Sequence, residues 1–427
     1  MPQKVRTQLQ WIAERARDKE VSFLSLAHPI SEELLEQSHR ELKKEAVGGV
    51  DGCVKEEYEQ ELSQNLQQLH EKLRQKRYRP QPVKRVWIGK AQGAKRRPLG
   101  LPAYEDKVVQ KAVVSLLEPI YEENFYEFSY GYRKGKSCHQ ALGELRRSCM
   151  QGEQYIIDAD IEDYFTSIEH RSLREFLKRR VKCRGLHRLI GRWLKAGILD
   201  GGRMQYPKKG TPQGSTISPL LANIYLHYVV DEWFEEQIKP RLKGRARWVR
   251  VADDFVICCQ YQEDARRVLG VLPKRLGKYG LKLQESKTRM VKFTKPRDGE
   301  KGEGVIDFVG FRHYWSKSRQ GHWVVKKKTA PPRLSRAMKA INQWCKAHRH
   351  MPMRWQQAWL RMKLQGHYNY FGVSCNYRSL QAVYGAVYRL WKKWLNRRGG
   401  RAMSWEQYEQ HLRHYPLPRP RIVHVGV

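Results

Sequence analysis

From the N-terminus, apolar positions first recur at helical spacing. Ser31 stands as an N-cap ahead of Leu34, Leu35 and Leu42, and Gly48-Gly49 closes the segment. After a turn at Val50-Asp51-Gly52, Tyr58, Leu62, Leu66, Leu69 and Leu73 continue the rhythm until Tyr78-Arg79-Pro80 stops it. The pattern then predicts two strands, 83–88 and 97–102, joined by a basic turn from Lys90 to Arg96. Val108, Val109, Ala112, Val113, Leu116 and Leu117 predict an amphipathic helix ending near Pro119, and an aromatic loop, 128–133, follows. Tyr155-Ile-Ile-Asp-Ala-Asp-Ile161 alternates as a strand, with Ile157, Ala159 and Ile161 on one face and Asp158 and Asp160 on the other. Ser218-Pro219 marks a helix start, Ser as N-cap and Pro in the first position. Two β-branched runs around Ala252-Asp253-Asp254 predict a hairpin with the acidic pair at its turn. A helix over about 263–279, a polar loop over 295–304 and strand-like sequence at 307–311 complete this part. Alternating strands and helices give an α+β unit with a central sheet.

Past residue 311 the pattern changes. Leu334, Met338 and Ile341, then Trp355, Trp359 and Met362, then Leu390 and Trp394 keep helical spacing, and an extended tail follows at Pro416-Leu-Pro-Arg-Pro420. Tryptophan stripes of this kind are more often helix packing than stacking surfaces for bases. No acidic residue lies between Asp307 and Glu406, so this second, helical unit is expected to carry a basic surface. The whole chain of 427 residues has a formal net charge of +38, which implies a polyanion partner: Lys and Arg displace counterions from phosphates, and aromatic faces stack on unpaired bases. No apolar run is long enough to span a membrane and no signal peptide opens the chain. Eight scattered cysteines without a C-x-x-C pair fit a reducing, cytoplasmic setting.

The candidate chemistry centres on Asp253 and Asp254. Adjacent carboxylates flanked by Val, Phe and Ile are costly to hold without a cation, and hard oxygen ligands favour Mg²⁺ or Mn²⁺; the plainer alternative is a solvated turn. If the strand bearing Asp160 lies beside the hairpin, three carboxylates converge, enough to hold two divalent ions about 4 Å apart for in-line attack of a hydroxyl on a nucleotide α-phosphate. In that layout the Gln213 loop lines the nucleotide pocket, Lys90 and Arg97 hold the triphosphate, and Phe165 walls off the sugar 2′ position.

The ordered series Asp160-Ile-Glu-Asp-Tyr-Phe165, Thr211-Pro-Gln-Gly-Ser-Thr-Ile-Ser-Pro-Leu-Leu-Ala-Asn223, Ala252-Asp253-Asp254, Leu281 to Lys287 and Phe308-Val-Gly-Phe311 resembles the successive blocks of reverse transcriptases. Gly49-Val-Asp-Gly52, Arg97-Pro-Leu-Gly-Leu-Pro102, the stretch from Phe128 to Gly135, and Gln365-Gly-His-Tyr-Asn-Tyr-Phe371 are similar to blocks of the group II intron-encoded branch. The resemblance implies a right-handed fingers-palm-thumb polymerase with an antiparallel palm sheet and a helical thumb or maturase domain. Its divisions fall at 1–75 (N-terminal extension of the fingers), 76–311 (fingers and palm), 312–400 (thumb/maturase) and 401–427 (basic tail). It implies Asp160, Asp253 and Asp254 as metal ligands for two Mg²⁺, Phe165 as sugar gate, and Gln213, Arg97 and Lys287 as nucleotide-site residues. The implied partners are an RNA template, a DNA or RNA primer, dNTPs and structured group II intron RNA. Spacing to Phe165 assigns Asp160 rather than Asp158 as the ligand. The family usually has Tyr where this chain has Val251, removing a ring from the primer or base-pair side of the site. No Cys and His cluster follows the thumb block, so a member lacking the HNH endonuclease is expected. The alternatives are a domesticated, retron or diversity-generating relative acting without an intron, and a non-catalytic RNA-binding splicing factor.

Overall fold

Short-range chemistry sets most element boundaries, and tertiary packing overrides it at identifiable places. The computed structural model describes residues 2–44, 47–89, 96–297, 300–400 and 402–426. The chain opens with α1 (Gln3–Ala16), which the sequence reading omits because its buried positions, Val5, Ile12 and Ala16, are sparse. Ser31 Oγ accepts the Leu34 N–H and starts α2 (Glu32–Glu41), which ends before the glycines because Leu42 turns extended. The expected helix through Leu73 is two, α3 (Lys55–Gln60) and α4 (Leu62–Arg74), broken where Glu61 leaves helical geometry. Strands β1 (Val83–Gly89) and β2 (Arg96–Leu101) pair antiparallel; the turn between them, with Lys90, lies outside the described residues. Asp51 accepts the Tyr104 N–H at 3.0 Å at the start of α5 (Tyr104–Glu122). This helix runs through Pro119 instead of stopping there. The proline sacrifices one backbone bond in the last turn, and Ile120 and Tyr121, fully buried, hold that turn on the core.

Next come α6 (Cys138–Met150), β3 (Tyr155–Asp160), α7 (Tyr164–Ser167), α8 (His170–Arg180), α9 (Arg184–Lys195), β4 (Ile198–Asp200) and β5 (Arg203–Gln205). α10 (Ser218–Leu226) takes Ser218 as its first residue rather than its cap, and its winding widens to i→i+5 bonding through His227–Asp231 and Phe234–Ile238. β6 (Ala246–Val251), β7 (Asp254–Cys259), α11 (Gln262–Gly277), β8 (Arg289–Lys292), β9 (Ile306–Phe308), β10 (Phe311–Lys317) and β11 (Trp323–Thr329) precede α12 (Pro331–Ala347), α13 (Met353–Phe371), α14 (Tyr377–Leu395) and α15 (Trp405–His414). Helices therefore begin later than the composition change at 311. Residues 311–329 form a hairpin whose alternating buried positions include His313 and Lys327, polar residues that hide the period of two.

Among the described residues the sheets run β2-β1-β4-β5, β6-β7-β3-β8 and β11-β10-β9. The β6-β7-β3-β8 sheet is antiparallel at every pairing and is covered on both faces. Ile157, Ala159, Phe255 and Ile257 pack into the large core with α5, α10 and α11, while Ile156, Val249, Val256 and Cys258 face α6 and the β9–β11 sheet. A third core joins α12, α13 and α14, with Trp391 fully buried and Trp394 nearly so, which is packing of the expected kind. The eight cysteines are all free. No helix among the described residues is long and apolar enough to cross a membrane.

Candidate active site

The carboxylates meet because of strand register. β3 runs antiparallel to β7 with Asp160 directly opposite Asp254, and β6 and β7 are joined by the two-residue turn Ala252-Asp253. Side chains alternate across a strand, so Asp158, Asp160 and Asp254 project from one face at the end of the sheet. Ala252 sits in the left-handed region (φ 58°), a conformation that costs a non-glycine residue roughly 1–2 kcal/mol and recurs at sites where the surrounding fold imposes it.

What imposes it is a buried brace. Arg250 is fully buried in β6; its guanidinium makes a bidentate pair with Asp231, equally buried, and donates to Asn223 Oδ1 (3.1 Å), Ser129 Oγ (2.7 Å) and the carbonyl of Ala252 (3.1 Å). Asn223 in turn donates to the Gly131 carbonyl at 2.6 Å. The aromatic loop is stitched to β6 by Tyr130 N–H to Arg250 O (2.8 Å) and Arg250 N–H to Phe128 O (2.9 Å). Gly131 lies so close that a Cβ there would stand 2.2 Å from the Ala252 nitrogen. Asp231 reaches this position from the widened helical turn after α10, the kind of bulge often found at functional sites. Sequence reasoning missed Arg250, Asp231 and Gly131 as parts of the site. The available signal was an arginine inside an apolar strand, which a buried position tolerates only with a partner.

The electrostatics are those of crowded acids. Burial, then the charges of Asp158, Asp160 and Asp253, push the Asp254 carboxyl up to about 7. Burial, and then Asp160, also raise Asp253, against the pull of Arg97 and Lys287. Burial raises Asp158, whose carboxylate pairs with Arg289 at 3.2 Å, and the Lys287 ammonium bonds the Asp160 carboxylate. Three basic side chains, Arg97, Lys287 and Arg289, thus face four acids. Hard oxygen donors with unneutralised charge fit a divalent cation in their chemistry. Among the described residues, however, no three His, Cys, Asp or Glu side chains are already gathered as a cage, and Lys287 occupies Asp160.

Beside Asp254 opens a cleft of about 620 Å³ lined by Tyr130, Tyr132, Val251, Arg333, Tyr370 and Phe371, among others. The other predicted residues fall at varying distances from the acids. Arg97, on β2, is near enough to act on Asp253 and Tyr132 electrostatically. The Gln213 carbonyl accepts the Gly100 N–H of β2 at 2.6 Å, and Gly214 (φ +109°) lies where a Cβ would meet the Gly100 carbonyl at 2.7 Å. Phe165 is 8% exposed, and its carbonyl accepts the Thr211 N–H of the same loop at 2.8 Å. Phe165, Gln213 and Arg97 therefore belong to one connected wall, while among the described members of the predicted nucleotide set Lys287 alone directly contacts a site carboxylate.

Residues 88–323 match the family described as reverse transcriptase (RNA-dependent DNA polymerase). Protein YkfC of Escherichia coli is 33% identical over 307 residues, covering 64% of this chain and 77% of that protein. The group II intron-encoded protein LtrA of Lactococcus lactis is 40% identical over 225 residues, 48% of this chain but only 37% of LtrA. An uncharacterized 91 kDa protein in the cob intron of Schizosaccharomyces pombe is 39% identical over 170 residues, which are 21% of its length. With a family match over more than half its length and a homologue covered over more than three quarters, the chain belongs to the reverse transcriptases, the RNA-directed DNA polymerases, and its relatives include group II intron-encoded members.

Proposed function

We propose that this protein copies RNA into DNA at the acidic end of the central β3–β7 pair and that it also binds group II intron RNA to promote splicing and mobility. The observation that carries the catalytic part is the register placing Asp160 opposite Asp254, with Asp253 in the adjoining turn. Asp160, Asp253 and Asp254 would hold two Mg²⁺, with Mn²⁺ able to substitute; bound there, the ions would activate the primer hydroxyl and stabilise the leaving pyrophosphate. Lys287 keeps Asp160 charge-paired until a cation competes for it. Arg97, together with Lys90, would steer the triphosphate, Gln213 would contact the nucleotide, and Phe165 would press on the sugar where a 2′-hydroxyl would stand. The β6-β7-β3-β8 sheet would be the palm, residues 76–311 would supply fingers and palm, 1–75 their extension, 312–400 the thumb and maturase domain, and 401–427 a basic tail. The intron-binding part is supported by similarity to LtrA, whose name marks it as intron-encoded, and by the acid-free stretch between Asp307 and Glu406.

The test is primer extension by purified protein on an RNA template with Mg²⁺, comparing dNTPs with NTPs. DNA synthesis with dNTPs alone is expected. Equal use of NTPs would refute the sugar gate at Phe165, and no extension with either would refute the polymerase assignment. Binding of a folded group II intron RNA in preference to an unrelated RNA of equal length is expected for the second role.

A further inference from the structure

The tip of the α12–α13 hairpin carries a set of stacked rings that the packing of the helical unit does not use up. Trp344 and Trp359 lie face to face, 3.8 Å between centroids and 4° between planes. His348 stacks on Trp344 at 4.7 Å, and Trp355 lies 5.5 Å from Trp344 (19°) and 5.5 Å from His348. Trp344 and Trp359 also pack against the core of the helical unit, which accounts for these two. Trp355 is not part of that core and is 42% exposed, with Met351 beside it in the connecting turn at 40%. What sets Trp355 apart from a singly exposed ring is that it continues the stack of Trp344 and His348 and adjoins the exposed Met351, so the aromatic face reaches solvent as a patch.

The surroundings say what suits that patch. Lys363 stands 5.0 Å over the Trp359 ring, Arg398 reaches across to the Met351 carbonyl at 2.6 Å, Arg349 caps the Lys346 carbonyl at 3.0 Å, and Arg354 adjoins Trp355 in sequence. With no acidic residue anywhere between Asp307 and Glu406, the rim is cationic. An apolar peptide would gain nothing from that rim. An unpaired nucleotide has an aromatic face for the ring and phosphates for the cations. We infer that Trp355, backed by His348 and Trp344, is a stacking platform for an unpaired base of RNA, whose phosphates would meet the cations of the same hairpin tip, Arg349, Lys363 and Arg398. The site lies outside the carboxylate cluster and requires no catalysis; it rests on the RNA-binding part of the proposed function and gives that part a ligand feature, a bulged or looped base rather than a continuous duplex.

The experiment measures binding of two blunt-ended RNA duplexes with equal numbers of nucleotides, one fully paired and one carrying an unpaired bulge, to the full-length protein and to Trp355→Ala and Trp355→Phe, with primer extension on the same preparations. A base stacked on an aromatic ring contributes enough to be read as about a tenfold preference. The wild type is expected to prefer the bulged RNA by about that factor, Trp355→Ala to lose the preference while keeping its affinity for the paired RNA, and Trp355→Phe to retain most of it. Equal preference in the wild type and Trp355→Ala overturns the inference and leaves the platform as a protein contact; an equal loss for both RNAs in Trp355→Ala also overturns it, since stacking cannot weaken binding of a duplex with no free base. Failure of primer extension in the wild type would bear on the polymerase assignment alone.

Discussion

Removing the Asp231 side chain is the sharpest test of how the Ala252-Asp253 turn is held. Arg250 and Asp231 are both fully buried, and the guanidinium spends all its contacts on Asp231, Asn223, Ser129 and the Ala252 carbonyl. In Asp231→Ala the guanidinium stays buried without its counter-charge, and breaking such a pair from one side costs about 3–5 kcal/mol. In Arg250→Met/Asp231→Leu both charges leave together, and most of that loss should return because apolar side chains fill the space without desolvating an ion. The two variants separate stability from function. The double variant lacks the donor to Ala252, so the turn bearing Asp253 loses its tether and its strained φ is no longer imposed. Urea unfolding is therefore expected to show the single variant markedly destabilised and the double variant less so, its remaining loss coming from the acceptors of Asn223 and Ala252 left without the Arg250 donor, while primer extension falls in both. If Asp231→Ala unfolds within about 1 kcal/mol of the wild type, the buried-pair argument fails. If the double variant polymerises at the wild-type rate, the brace has no part in placing the acids.

Asp253→Ala should abolish primer extension and leave RNA affinity nearly unchanged, read by extension and by filter binding; residual extension near the wild-type level would refute the site. Gly131→Ala forces a Cβ to 2.2 Å from the Ala252 nitrogen, so the loop or the turn must move, and both a lower unfolding midpoint and reduced extension are expected. His227 and His313 are buried and held neutral, each pushed down to about 3 by burial first and then by neighbouring cations, Arg250 for His227 and Lys327 for His313. Their folded pKa lies below the ordinary value of about 6.5, so the unfolded chain takes the protons first: stability is full above that value and falls as pH drops below it toward about 3. Each contributes a slope approaching about 1.4 kcal/mol per pH unit, and unfolding midpoints at pH 7 and 5.5 should differ accordingly, less so in His227→Phe; equal midpoints would show that these rings are not held neutral.

The sequence by itself determined the α+β plan of strands and helices, the strand that carries Asp158 and Asp160 on one face, the hairpin at Asp253-Asp254 and the acid-free basic region, because each is written in short-range period, turn chemistry or composition. It also carried the ordered blocks on which the family resemblance rests. Only the tertiary structure decided that β3 pairs with β7 in the one register that sets Asp160 opposite Asp254; a slip by one residue would turn the carboxylates to the other face. It alone carried α5 through Pro119, where buried Ile120 and Tyr121 outweigh a lost backbone bond, and revealed β10 and β11 beneath a polar pattern containing His313 and Lys327. The brace was illegible for the same reason. Asn223, Asp231 and Ser129 are local nonentities in sequence, and only burial at one point, with no water to satisfy Arg250, makes each of them necessary to it.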